Sequence, residues 1–190
     1  AYKSTIVNGY SNTSSGSYST IVNGKCNTAS GYNSAVLNGL CNTASCNYSA
    51  VLGGNFNLSS GAYSTITGGA SNIVNSDYSS IVNGISNINN QVFSTIVGGS
   101  SNCLCSTGDS NSSFIGGGVS NSMSGYGNYA SSIVGGGCNT IKGCGDSIAF
   151  IGGGSFNTLS SYYGKFNTIV NGLYNTLCNS TNNQNYGSFI

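Results

Sequence analysis

The 190-residue sequence contains no histidine, no tryptophan and no proline, and a single methionine. Charge is almost as scarce: charged residues make up 4% of the chain and leave a net charge of +1, against roughly a quarter of residues in ordinary soluble domains. Each absence excludes something. Without histidine, and with the acids reduced to Asp77, Asp109 and Asp146 in separate parts of the chain, neither a Ser-His-Asp relay nor a paired-carboxylate acid–base site can be assembled. A carboxylate-bound metal site lacks its ligands, and a zinc site lacks both histidine and paired Cys-x-x-Cys spacing. The basic residues Lys3, Lys25, Lys142 and Lys165 are scattered and give no electrostatic footprint for nucleic acid or an anionic membrane. No apolar run approaches transmembrane length, and no basic-then-apolar signal segment opens the chain. The expectation is a chain that is not an enzyme, holds no metal or cofactor, binds no nucleic acid and does not insert in a membrane.

What is present is a register. An apolar anchor recurs at Ile6, Ile21, Val36, Val51, Ile66, Ile81 and Ile96, spaced by 15 residues, and then at Ile115, Ile133, Ile151, Ile169 and Ile190 with steps of 19, 18, 18, 18 and 21. Three places after each of the first eleven anchors stands a glycine, from Gly9 to Gly172. Six places after stands an asparagine: Asn12, Asn27, Asn42, Asn57, Asn72, Asn87, Asn102, Asn121, Asn139, Asn157 and Asn175. Low charge with abundant Ser, Gly and Asn resembles a disordered tract, but disorder has no need of a fixed apolar register. A period of this size marks a stacked array.

Helix is excluded because the apolar positions do not recur at helical spacing and Gly or Asn interrupts every stretch of ten residues. Short period-two alternation is present instead: Ser4 and Ile6 share one face, Thr5 and Val7 the other. The sequence therefore predicts an all-β parallel β-solenoid, residues 1–190 as one continuous stack, with 15-residue coils over 1–102 and enlarged coils of about 18 residues over 103–190. Two short strands per coil suggest a flattened cross-section that broadens, towards a triangle, after Asn102. Stacking at about 4.8 Å puts equivalent residues above one another. The interior becomes an Ile/Val ladder facing a second inward column that includes Ser14, Ala29, Ala44, Ser59, Val74 and Leu104. Glycine fits a corner needing positive φ or lacking room for a Cβ, and asparagine fits a structural ladder at the other corner. The chain opens near one anchor and stops on another, Ile190, without polar capping units. Solenoids need caps, so the expectation is a piece of a longer protein or a subunit capped by its neighbours.

An aromatic column, Tyr18, Tyr48, Tyr63, Tyr78 and Phe93, precedes the anchors; stiffening of the edge by stacking is favoured over binding of a glycan or a partner protein. Of eight cysteines, Cys26 and Cys41 occupy one column a coil apart, within disulfide range; the alternative is that cysteine merely replaces the serine found there at Ser11, Ser71 and Ser86. The cysteines fit an oxidising, extracellular setting. Among the Asn-x-Ser/Thr sequons, Asn12 and Asn57 belong to the ladder, whereas Asn47, Asn111 and Asn179 fall in turns open to glycosylation.

The outward positions flanking the anchors include Thr5, Val7, Thr20, Val22, Leu37, Leu52, Thr65, Val82, Thr95 and Val97. Such an uncharged, half-apolar stripe is a candidate interface or a candidate water-ordering, ice-binding face. The Ser-x-Ile-Val-x-Gly-x-x-Asn-Thr-Ala-Ser-Gly unit, seen at Ser19 to Gly31, resembles the head repeats of YadA-type trimeric autotransporter adhesins and related surface fibres. That resemblance implies a left-handed β-roll, self-association and a place outside the cell or on a cell or virion surface; many cysteines and the lack of a neck or stalk depart from it. The same unit is similar to the ryegrass ice-binding β-roll, whose Asn-x-Val-x-Gly halves match it in length, although Ala35, Ala50, Phe114, Phe150 and Phe189 interrupt the threonine column. The expectation is a structural, self-assembling fibre or adhesin segment, with ice binding as the alternative.

Overall fold

The structure, a computed structural model, describes residues 2–106, 111–162, 166–179 and 188–190, without the side chains of residues 144–147, 161–162, 179 and 188–189. Regular structure among the described residues is entirely β, and every strand pairing is parallel, so the fold is a parallel β-solenoid as the register predicts. The chain divides into two compact units, Ala1–Asn89 and Asn90–Ile190.

In the first unit each coil contributes a two-residue strand at the anchor, such as Thr20–Ile21, and another after the asparagine, such as Thr28–Ala29. Anchor strands stack in register, Ile21 on Val36 and Val36 on Val51. The second strands stack likewise, Ala29 on Ala44 and Ala44 on Ser59. A third line of parallel bridges runs Tyr10–Lys25–Leu40–Asn55–Ala70–Ile85. Three pairing lines therefore exist from the first coil onward, which corrects the two-sided reading of the short coils. The third line was hidden because a single bridged residue per coil leaves no alternation to detect.

Burial follows the predicted faces. Ile21, Val36, Val51, Ile66 and Ile81 are fully buried, opposite the buried Ala29, Ala44, Ser59 and Val74. Asn89 fills the same inward column and turns its amide onto the Ser80 carbonyl at 3.2 Å. The serine two places before each anchor is also interior: Ser19, Ser34, Ser49 and Ser64 donate to the carbonyl three residues back at 2.6–2.8 Å. Each closes the turn that delivers the chain to the anchor, and so satisfies a hydroxyl that burial would otherwise penalise.

At the glycine corner both proposed reasons for glycine apply. Gly39 has φ of +109°, and a Cβ there would lie 2.1 Å from the Gly54 carbonyl oxygen and 2.4 Å from the Asn42 amide nitrogen. Two further columns adopt positive φ without glycine. One runs Ser11, Cys26, Cys41, Phe56, Ser71, Ser86, the other Lys3, Tyr18, Asn33, Tyr48, Tyr63, Tyr78, all with φ between 52° and 59°. Strand amides donate to the following coil, as Thr20 does to Ser34. The left-handed residues donate to the preceding one, as Cys41 does to Lys25 and Tyr48 to Tyr32. Adjacent coils are thus bonded in both directions, which offsets the left-handed backbone cost of about 1–2 kcal/mol per residue.

The second unit keeps this plan with the buried anchors Ile96, Ile115, Ile133, Ile151 and Ile169. Its added residues extend the second sheet: Ser122–Asn128 pairs with Thr140–Ile151, which pairs with Thr158–Tyr162. The register of the first of these pairings shifts between Tyr126 and Asn128.

Candidate functional site

The asparagine ladder is the most repeated side-chain arrangement. Asn42 accepts at Oδ1 from the Asn57 backbone amide at 3.0 Å, while its Nδ2 donates to Asn38 at 3.2 Å and to Gly54 of the next coil at 2.7 Å. Asn12, Asn27, Asn57 and Asn72 repeat the pattern, and Asn87 donates to Asn72 Oδ1 through both its backbone amide and its Nδ2. In the second unit Asn102, Asn121, Asn139, Asn157 and Asn175 form the same chain of bonds at 3.0 Å. These amides are consumed by the backbone, so the ladder is structural.

The outward face of the anchor sheet is the surface feature with the greatest regularity. In the first unit Thr5, Thr20, Ala35, Ala50, Thr65 and Ser80 lie in parallel register. Beside them run Val7, Val22, Leu37, Leu52, Thr67 and Val82, of which Val22, Leu37, Leu52 and Val82 are 39–41% exposed. No charge interrupts either column. In the second unit the columns read Thr95, Phe114, Ser132, Phe150, Thr168 and Val97, Gly116, Val134, Gly152, Val170. Phe114 and Phe150 each have a glycine two residues on: a Cβ at Gly116 would stand 3.2 Å from the Phe114 ring, and one at Gly152 3.3 Å from Phe150. Each ring lies across its own strand's glycine, so Phe-Ile-Gly and Ser-Ile-Val are alternative ways of filling one strip. Reading the phenylalanines only as breaks in a threonine column missed this pairing, although the covariation was visible in the sequence.

A second threonine column lies on the other sheet, where Thr13, Thr28 and Thr43 stand in register ahead of Ser15, Ser30 and Ser45. It was not anticipated. Leu58, Ile73 and Ile88 continue it in apolar form.

The aromatic edge is longer than the predicted column. Tyr2, Tyr18, Tyr32, Tyr48, Tyr63 and Tyr78 are in continuous contact, with ring centroids 4.7–5.6 Å apart. Where the left-handed position holds Lys3 or Asn33, the preceding Tyr2 or Tyr32 supplies the ring, and contacts at those steps are edge-on at 72–74°. Tyr48, Tyr63 and Tyr78 stack within 8° of parallel. Only in that stretch do the ring faces turn to one another.

Cys26 and Cys41 are free thiols on adjacent coils, Cys26 exposed and Cys41 half-exposed; the structure holds no bridge between them. Burial pushes the Cys41 thiol up from its ordinary value; the Cys26 charge and a hydrogen bond with Cys26 push the same way, and Lys25 opposes them. A disulfide joins Cys103 and Cys105, whose Cα atoms are 5.4 Å apart. Asn47 is exposed and accepts the Tyr32 amide at 3.1 Å. Asn111 is half-exposed and bridged to Val92. The side chain of Asn179 lies outside the described residues.

Comparison with known proteins gives no matching family model and no matching curated protein.

Proposed function

We propose that this chain is a structural segment of an extracellular or surface-borne fibre, a stiff repeat rod that assembles with copies of itself. The observation that carries the reading is the uncharged column Val22, Leu37, Leu52 and Val82, half-exposed on a regular parallel sheet. Exposed apolar stripes of this regularity are interfaces on soluble proteins, and a flat repeating stripe is met most simply by a second copy of itself. The ladders beneath it make the backbone that presents the stripe rigid. The resemblance to YadA-type heads points the same way and adds a left-handed coil, trimeric packing and an adhesin-like place on a cell or virion surface. Nothing in this role requires a catalytic group.

Negative-stain electron microscopy of the purified chain at two concentrations tests the proposal. Discrete trimers or filaments of uniform width support it. Dispersed monomeric rods at both concentrations overturn self-assembly by this segment.

Ice binding is kept as a second reading on one observation, the in-register Thr13, Thr28 and Thr43 column with its serines. An ice-growth assay with Thr28→Tyr and Thr20→Tyr separates the two sheets: loss of ice shaping in the first alone assigns the second sheet, and absence of shaping in the unmodified chain ends this reading.

A further inference from the structure

Cys26 and Cys41 have the same left-handed backbone conformation, with φ of 57° and 54°. The Cys41 amide donates to the Lys25 carbonyl at 2.9 Å, and the flanking Lys25 and Leu40 are paired in parallel. One cysteine therefore stands directly over the other. Equal backbone conformations direct the two Cα–Cβ bonds alike, which keeps the Cβ atoms near the coil spacing of about 4.8 Å. A disulfide needs them closer, at about 3.8 Å. A linear ion bridge does not: two bonds as long as the zinc–thiolate bond, about 2.3 Å, span about 4.6 Å between sulfurs.

The chemistry of the surroundings narrows the ligand. Among the described residues no third His, Cys, Asp or Glu joins the pair, which suits two-coordination and disfavours zinc. Thiolates select soft ions, copper(I) foremost among the biological ones. The Lys25 ammonium, 5.6 Å over the Tyr10 ring, is adjacent in sequence to Cys26 and acts on Cys41. Free cysteine is ordinarily among the most buried residues, yet both thiols are reachable from solvent.

We propose that Cys26 and Cys41 form a two-coordinate site for a soft monovalent cation of the copper(I) class. Each thiol releases one proton and the ion joins the two sulfurs without change of oxidation state; the bridge carries one net negative charge, which Lys25 offsets. The site is independent of fibre assembly.

The test is anaerobic titration of the full chain with copper(I) against a colorimetric copper(I) chelator. One chelator-competitive equivalent is expected, weakened at least tenfold by Cys26→Ser and by Cys41→Ser and unchanged by Cys46→Ser, Cys138→Ser or Cys178→Ser. Serine occupies the same column at Ser11, Ser71 and Ser86, so the first two variants should fold, as circular dichroism will verify. Apparent affinity should rise with pH because two protons are released. Equal loss from any cysteine, or no competitive binding, overturns the site. So does ready air oxidation of metal-free protein to a Cys26–Cys41 disulfide, seen as loss of two hydrogens by mass spectrometry, because it would show that the Cβ atoms converge.

Discussion

Asn57 is buried, accepts the Asn72 amide and donates to Gly53 and Gly69. Replacing it with alanine removes these bonds and strands backbone groups in two coils. At about 1 kcal/mol per bond, with a further penalty for each unsatisfied buried group, Asn57→Ala should cost about 2–4 kcal/mol in urea denaturation. Asn55→Ala, an exposed bridge residue two positions away, should change stability by less than about 0.5 kcal/mol. Equal losses would refute the ladder as the distinguishing feature. Cys41 offers a second single-residue prediction. Its thiol is held up by burial, by the Cys26 charge and by the Cys26 hydrogen bond, against Lys25. Iodoacetamide should therefore modify Cys41 only at higher pH than an ordinary thiol. Cys26→Ser removes two of the three raising causes and should move that alkylation profile to lower pH, as read by peptide mass spectrometry. The linked stability has a definite sign: a raised thiol favours the fold below its ordinary pKa, and this contribution is lost as pH rises through the folded value.

At the scale of strands and columns, the stacked rings and the outward stripe make separable contributions. Tyr63 is sandwiched between Tyr48 and Tyr78 at 4.7 and 4.9 Å. Two aromatic contacts at about 0.5–1.5 kcal/mol each imply that Tyr63→Ala costs about 1–3 kcal/mol without affecting assembly. Conversely, the double variant Leu37→Lys, Leu52→Lys places charge on half-exposed positions of the anchor sheet. It should leave the circular dichroism spectrum unchanged and abolish concentration-dependent association in sedimentation velocity; association that survives it would move the interface elsewhere. Much of this architecture was legible in the sequence, and the physical reason is steric. Glycine and asparagine positions hold one residue type and anchors only Ile or Val, since an anchor is enclosed, Gly39 has no space for a Cβ, and Asn42 must reach donors and acceptors in two coils. Two columns were read from the sequence, but not their left-handed backbone, because the residue type there does not report it: Ser11, Cys26 and Phe56 share one, Lys3, Tyr18 and Asn33 the other. The same variety hid Tyr2 and Tyr32, whose rings reach the ladder from the neighbouring backbone position. Compensation between two outward columns, Phe114 with Gly116 against Ser132 with Val134, emerges only when both are viewed on one face.

For the molecule as a whole, the scarcity of charge sets how it should respond to solution conditions. Stability varies with pH only where folded and unfolded chains bind different numbers of protons. Three acids and no histidine leave few groups that titrate between pH 3 and 8. Association should likewise owe little to ion pairs, because the stripe proposed to mediate it holds Val, Leu, Thr, Ala and Ser in the first unit, and Phe, Gly, Val, Ser and Thr in the second. Salt then discriminates between mechanisms. An interface built from complementary charges weakens as the Debye length shrinks from about 10 Å at 0.1 M to about 3 Å at 1 M. One built from apolar burial is strengthened by sulfate, which is excluded from protein surface. Raising ammonium sulfate below the precipitation threshold should therefore shift the sedimentation profile towards larger species, whereas sodium chloride up to 1 M should not dissociate them. Dissociation by sodium chloride would mean that the four lysines and three acids, rather than the aliphatic stripe, hold copies together, and the fibre reading would lose the observation on which it rests.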